Sequence, residues 1–164
     1  SPTSAAHVAA SLGDRVRLIL DAGSSGVGLE STIVALRDSA WQILRPGPVT
    51  QAQISAVLGG EPGGMTSDKI EAPGQLASHY APHKPLLLDV VVPVPDAFHI
   101  GFGAVGGDHN LSPAGDLAEA AAGLYAALHL ADASSSRVIA MAPVPAQGMG
   151  DAINDRLRRA ASKN

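Results

Sequence analysis

Residues 112–145 read "SPAGDLAEAAAGLYAALHLADASSSRVIAMAPVP", and the architecture follows from how this stretch changes period halfway along. Leu117, Ala120, Ala121, Leu124, Ala127, Leu128 and Ala131 recur at 3.6-residue spacing, so the first part is an amphipathic helix. Residues 137–145, "RVIAMAPVP", then run apolar without alternation, as in a strand of a parallel sheet covered on both faces. Beyond it, Met149, Ile153, Leu157 and Ala160 mark a second helix over residues 148–161. Asp151 near its start and Arg156, Arg158 and Arg159 near its end suit the helix dipole. Before it, "PLLLDVVV" (residues 85–92) and "AFHIGFG" (residues 97–103) read as strands. Strands alternating with helices predict a small α/β sandwich on Rossmann-like principles.

The first third of the chain is patterned differently. Ser1-Pro2-Thr3 offers a cap for a short helix with Ala6, Val8, Ala9 and Leu12 apolar and Gly13 as its stop. "RVRLILDAG" (residues 15–23) is a β-rich run followed by turn residues. Residues 29–36 and 41–44 read as two strands of a hairpin around Arg37-Asp38-Ser39. Thr50 can cap a helix carrying Ile54, Val57 and Leu58, stopped by Gly59-Gly60. From residue 59 to 85 the periodicity is lost while Gly and Pro accumulate, which is the composition of a linker.

Composition excludes several classes. A hydrophobic fraction of 46% with 16% charged residues belongs to a globular chain rather than a disordered one. The formal net charge is −4 and no basic cluster precedes residues 156–159, so strong nucleic-acid binding is not expected. With no cysteine there is neither a disulfide framework nor a thiolate metal site. No apolar run approaches the roughly 18 residues of a membrane helix and no signal peptide is evident, so no membrane partner and a cytoplasmic location are expected.

Chemistry-bearing residues cluster at the hairpin ends and in the linker. Glu30-Ser31-Thr32 read either as strand-end turn chemistry or as polar groups facing a ligand. Arg45, before Pro46, is either a surface arginine or a phosphate-binding one, for which its planar five-donor head is suited. "SHYAPHKP" (residues 78–85) holds His79, Tyr80, His83 and Lys84. The histidines are interrupted by proline and lack a carboxylate or Cys partner nearby, so a segment that covers a ligand is favoured over a metal site. "GFGAVGG" (residues 101–107) does not open directly into a helix and reads as a tight turn rather than a phosphate loop. Asp116 and Glu119 are solvated acids at a helix start. His7, His99, His109 and His129 stand alone in the sequence, as packing or surface residues.

Taken in order, "SPTSAAHV", "ILDAG" with "VGLESTIV", "ILRPGPVT" and "PGQLASHYAPHKP" resemble the threonylcarbamoyl-AMP synthase family in its long form, which has a YrdC-like domain and an extra C-terminal domain. The resemblance covers essentially the whole chain. It implies the C-terminal part of a YrdC-like nucleotide- and threonine-binding α/β domain over residues 1–58, a linker over 59–85, and a small Rossmann-like α/β domain over 86–164. The implied activity makes threonylcarbamoyl-AMP and pyrophosphate from L-threonine, bicarbonate and ATP with Mg2+, ahead of the transferase machinery that completes the t6A modification of tRNA. The resemblance places Ser1 and Arg45 on ATP, Ser31 on threonine, and Tyr80 over the nucleotide, with Thr32 and His79 as neighbours; it assigns no catalytic base and no protein-held metal. The family's earlier half-domain, with its basic motif, has no counterpart in this sequence. The chain is therefore expected to be inactive alone, and either to pair with that half or with a second copy or to be a product of truncation. A non-catalytic nucleotide-binding or interaction module is the alternative, and a dinucleotide binder using "GFGAVGG" a third.

Overall fold

The computed structural model describes residues 1–38, 40–64, 70–76 and 81–162. Helix α1 (Ala5–Leu12) is capped by the Ser4 side chain, just after the Ser1-Pro2-Thr3 cap that the sequence pattern suggests, and ends at Gly13. The β-rich run that follows forms no strand: a short 3-10 turn over Gly13–Arg15 leads into irregular chain, with Leu18 and Leu20 78% and 88% exposed. A strand needs a ladder partner, and none lies beside these residues among those described.

Strands β1 (Ile33–Leu36) and β2 (Trp41–Arg45) form the expected antiparallel hairpin, with a register irregularity between Ile33 and Val34. β1 begins four residues later than the pattern suggests because residues 28–30 are drawn away onto a helix, as described below. Helix α2 (Gln51–Leu58) starts with a full capping box between Thr50 and Gln53 and stops at Gly59. The Trp41 indole donates to the Gly59 carbonyl at 2.9 Å, tying the helix end to the hairpin.

Four strands form a parallel sheet in the order β3-β6-β4-β5, comprising β3 (Leu86–Leu87), β4 (Ala97–Gly101), β5 (His109–Asn110) and β6 (Val138–Met141). β3 is shorter than the apolar run predicts. Asp89 turns into the left-handed region at φ 57°, and Val91 and Val92 beyond it are mostly exposed. Central β6 is covered on both faces, with Ile139, Ala140 and Met141 buried. The glycine-rich stretch after β4 doubles back so that β5 can run beside its own predecessor. A Cβ on Gly107 would lie 2.4 Å from the His99 carbonyl oxygen, so this is backbone packed on backbone rather than a cradle for phosphate. It runs into β5, not into a helix, which removes the dinucleotide-binding geometry.

Helices α3 (Leu117–Ala133) and α4 (Met149–Ala161) pack on each other and on the sheet, α3 against β4 and α4 against β3. Asp116 caps α3 through the Ala118 and Glu119 amides rather than standing free. Glu119 accepts a hydrogen bond from the buried Ser112 hydroxyl. Ile100, Leu124, Ile139, Met141 and Ile153 form the centre of the core, and Leu29 from the N-terminal segment joins it.

Candidate functional site

Local geometry at residues 28–32 is dictated by what they press against. Gly28 has φ 76°, and a Cβ there would lie 2.3 Å from the Ala121 carbonyl oxygen of α3. Only glycine permits both the conformation and the approach. Leu29 enters the core, and Glu30 is left at the junction. Its carboxylate accepts from the Ser1 hydroxyl at 2.7 Å, from the Tyr125 hydroxyl at 3.1 and 3.3 Å, and from Arg156 Nε at 3.0 Å.

Arg156 is fully buried, and its second carboxylate partner is Asp155 at 2.8 Å, which also pairs with Arg159. Partial burial pushes the Glu30 carboxyl up. The hydrogen bonds from Ser1, its own amide and Arg156, together with the Arg156 charge, outweigh that and hold it near 2. An ionised carboxylate accepts only, so the Ser1 hydroxyl must spend its proton on Glu30 and turns lone pairs to anything else it meets.

The next residue faces the far end of the hairpin. Arg45 Nε and Nη2 donate to the Ser31 carbonyl at 3.1 and 2.9 Å, Nη2 also reaches Ser31 Oγ at 3.3 Å, and Nη1 reaches the Pro73 carbonyl at 3.3 Å. Gly47 lets the chain close over this contact, since a Cβ there would meet the Thr32 nitrogen at 2.4 Å. The Thr32 hydroxyl is turned aside to the Val49 carbonyl at 2.7 Å. Arg45 is thus held by neutral carbonyls, and no carboxylate pairs with it among the described residues. A guanidinium oriented but not neutralised retains its full attraction for an anion.

Ser31 and Arg45 therefore meet in one polar group and Ser1 and Glu30 in another, the two joined through the backbone between Glu30 and Ser31. His79 and Tyr80 lie outside the described residues. Described parts of the linker are anchored along the hairpin and the helices. The Gly63 amide donates to the Trp41 carbonyl, Arg37 pairs with Glu71 at 2.8 Å, and Arg159 reaches the Leu76 carbonyl at 2.7 Å. At the far end Asp132 accepts from the His83 and Lys84 amides and from His83 Nδ1, and Lys84 Nζ caps the α3 terminus at the Ala131 and Ser134 carbonyls. Burial pushes the Asp132 carboxyl up, but the His83 and Lys84 hydrogen bonds and the His83 charge more than offset that and lower it.

A cleft of about 270 Å3 opens beside Ser1, between α1 and α3, with Tyr125, Leu128, His129 and Asp132 on one wall and Pro82 and His83 on another. His7 and His129 are not separate: their rings stack at 4.2 Å and join α1 to α3. No group of three or more His, Cys, Asp or Glu able to hold a metal occurs among the described residues.

Sequence reasoning missed Tyr125 and Arg156. Arg156 looked like a dipole-suiting cation, yet it lies three residues from Ile153 and four from Ala160, inside the apolar stripe of α4. A charge in that register was the available signal.

A polar hairpin whose leading residues 28–30 dock on the helices of a parallel α/β sheet is the class that this geometry defines. The sequence matches the family model described as threonylcarbamoyl-AMP synthase, C-terminal domain, over residues 49–162, and the Sua5/YciO/YrdC model, described as telomere recombination, over residues 1–47. The chain belongs to the threonylcarbamoyl-AMP synthase family. It is 34% identical to the threonylcarbamoyl-AMP synthase of Bacillus subtilis, matching 98% of this chain and 53% of that protein. It is 29% identical to the synthase of Pyrococcus abyssi, over 98% of this chain and 54% of that one. The crystal structure of P. abyssi Sua5 complexed with L-threonine superposes with a TM-score of 0.82 at 30% identity, covering 98% of this chain and 54% of that one. A P. abyssi Sua5 variant with a histidine and a tyrosine replaced by alanine superposes at 0.81, with 28% identity, over 98% of this chain and 53% of that one. The chain spans about half the length of the relatives it matches. No helix among the described residues is long and apolar enough to cross a membrane.

Proposed function

We propose that this chain forms part of an L-threonylcarbamoyladenylate synthase, which makes threonylcarbamoyl-AMP for the t6A modification of tRNA. In this reaction the threonine amine and bicarbonate condense to a carbamate with loss of water. A carbamate oxygen then attacks the α-phosphorus of ATP, and the bond to pyrophosphate breaks. The observation that carries the assignment is Arg45, oriented by Ser31 and unneutralised by any carboxylate among the described residues.

Roles divide by hydrogen-bond polarity. Arg45 takes phosphate oxygens, lowering the cost of charge that develops as pyrophosphate leaves. Ser31 Oγ, beside it, orients threonine. The Ser1 hydroxyl donates its hydrogen bond to the Glu30 carboxylate, so its contact with ATP is as an acceptor, to an amino or hydroxyl hydrogen of the nucleoside rather than to a phosphate. Tyr80 excludes water over the nucleotide, with His79 and Thr32 as lesser contributors.

No general base is assigned. Mg2+ usually binds through one or two carboxylates and the substrate phosphates; no residue of this chain is assigned to it, and no step is routed through it. Division into residues 1–58, a linker over 59–85 and a sheet domain over 86–164 belongs to the same proposal. So does a partner completing the pocket: the N-terminal portion of a longer relative, or a second copy. The two-stranded hairpin sheet and the exposed Leu18 and Leu20 support such a partner.

Calorimetry with ATP and with L-threonine, followed by a pyrophosphate-release assay, tests the proposal on this chain alone and mixed with the N-terminal portion of the B. subtilis relative. Arg45→Ala is expected to weaken ATP binding more than threonine binding, and the opposite order overturns the role given to Arg45. Pyrophosphate release that never appears in the mixture overturns the enzymatic reading in favour of a binding module.

A further inference from the structure

We propose that Glu30 is the positioning residue of this site, and that Tyr125 of α3 and Arg156 of α4 set the placement of Ser1, Ser31 and Arg45 by gripping it. This rests on the functional reading for why those three residues matter, but not for the coupling itself.

Three distant side chains converge on one carboxylate: Ser1, Tyr125 and Arg156, the last 126 residues away. The buried guanidinium of Arg156 is tolerable only if its charge is met. Asp155 alone does not suffice, because it is shared with Arg159. Two arginines require two carboxylates, and Glu30 is the second. Its position is therefore constrained: moving it takes one of two carboxylates from a fully buried cation.

Backbone packing transmits that position to the site. Gly28 is pressed on α3, Leu29 is in the core, and the Glu30 carbonyl and Thr32 nitrogen lie against Gly47, so Ser31 between them has no slack. Arg45 takes its orientation from the Ser31 carbonyl. The sheet domain thus orders a site built from the hairpin without placing a side chain at Arg45.

The experiment compares Glu30→Gln and Tyr125→Phe with Ile153→Ala, which loosens the same core without touching Glu30. The readouts in the full chain are the 15N NMR signal of Arg45 Nε–H and hydrogen exchange at the Ser31 amide. Both Glu30→Gln and Tyr125→Phe are expected to shift the Arg45 signal and to speed exchange at both positions about tenfold, while Ile153→Ala leaves them within about twofold. An unchanged Arg45 signal in folded Tyr125→Phe overturns the proposal, as does equal loosening by Ile153→Ala. Tyr125→Phe keeps the ring in the core, so it decides the matter if Glu30→Gln does not fold. Failure of the unaltered chain and its mixture to bind ATP or threonine defeats the functional reading and leaves the NMR result to judge the coupling.

Discussion

Gly28 lies against the α3 backbone with φ 76°, where an added Cβ would meet the Ala121 carbonyl oxygen at 2.3 Å. Its positive φ and its contact with the α3 backbone mean that Gly28→Ala must both strain the chain and push residues 28–30 off the helix. A loss of about 2–4 kcal/mol is expected from the chemical-denaturation midpoint, since strain and a lost docking contact act together. The polar residues at the hairpin ends were visible in the sequence as donors and acceptors, and Arg45 does meet Ser31. That Glu30 looks the other way, to Tyr125 and Arg156, was not visible, because its partners are 95 and 126 residues distant. Thr32, adjacent in sequence and chemically similar to Ser31, is turned to the Val49 carbonyl by the same hairpin geometry.

At the scale of elements, local chemistry was mostly legible. The Thr50 capping box, the Gly59 stop and the α3 stripe follow from residue type and period alone, because helices satisfy their backbone internally. Thr50→Ala is expected to cost about 1 kcal/mol, read as a fall in melting temperature. Ile153→Ala in the centre of α4 should cost about 2–5 kcal/mol by the same measurement. Strands were less legible. Residues 15–23 have the composition of a strand and no ladder to join among the described residues, and β3 stops where Asp89 turns. The α1–α3 contact is also tertiary. Burial and the neighbouring His129 lower the His7 pKa, so the folded state favours the neutral ring. Its contribution is complete above about pH 6.5 and is lost as the pH falls below that value. Amide protection in α1, taken relative to the intrinsic exchange rate at each pH, should fall between pH 7 and 5.5, and His7→Phe should remove that dependence.

Across the whole molecule, two lowered carboxyls hold the N-terminal segment and the linker against helices α3 and α4. Glu30 falls from the ordinary 4.5 to about 2, and Asp132 is lowered as well. Groups with depressed folded pKa values stabilise above the unfolded value and lose that contribution as the pH falls through the folded one. Stability should therefore decline between about pH 4.5 and 2, with residues 28–32 and 83–84 losing amide protection ahead of the core, and Glu30→Gln should flatten the decline. What the sequence determined by itself was the period of each segment: the helices, their caps, the apolar central strand and hence an α/β fold with a polar hairpin ahead of it. What only the tertiary structure decided was which polar residues belong together. Periodicity is a local property, set by 3.6 or 2 residues per repeat, whereas the pairing of Glu30 with Arg156 is set by burial, which charges a guanidinium heavily for standing alone and so dictates its partner from the far end of the chain.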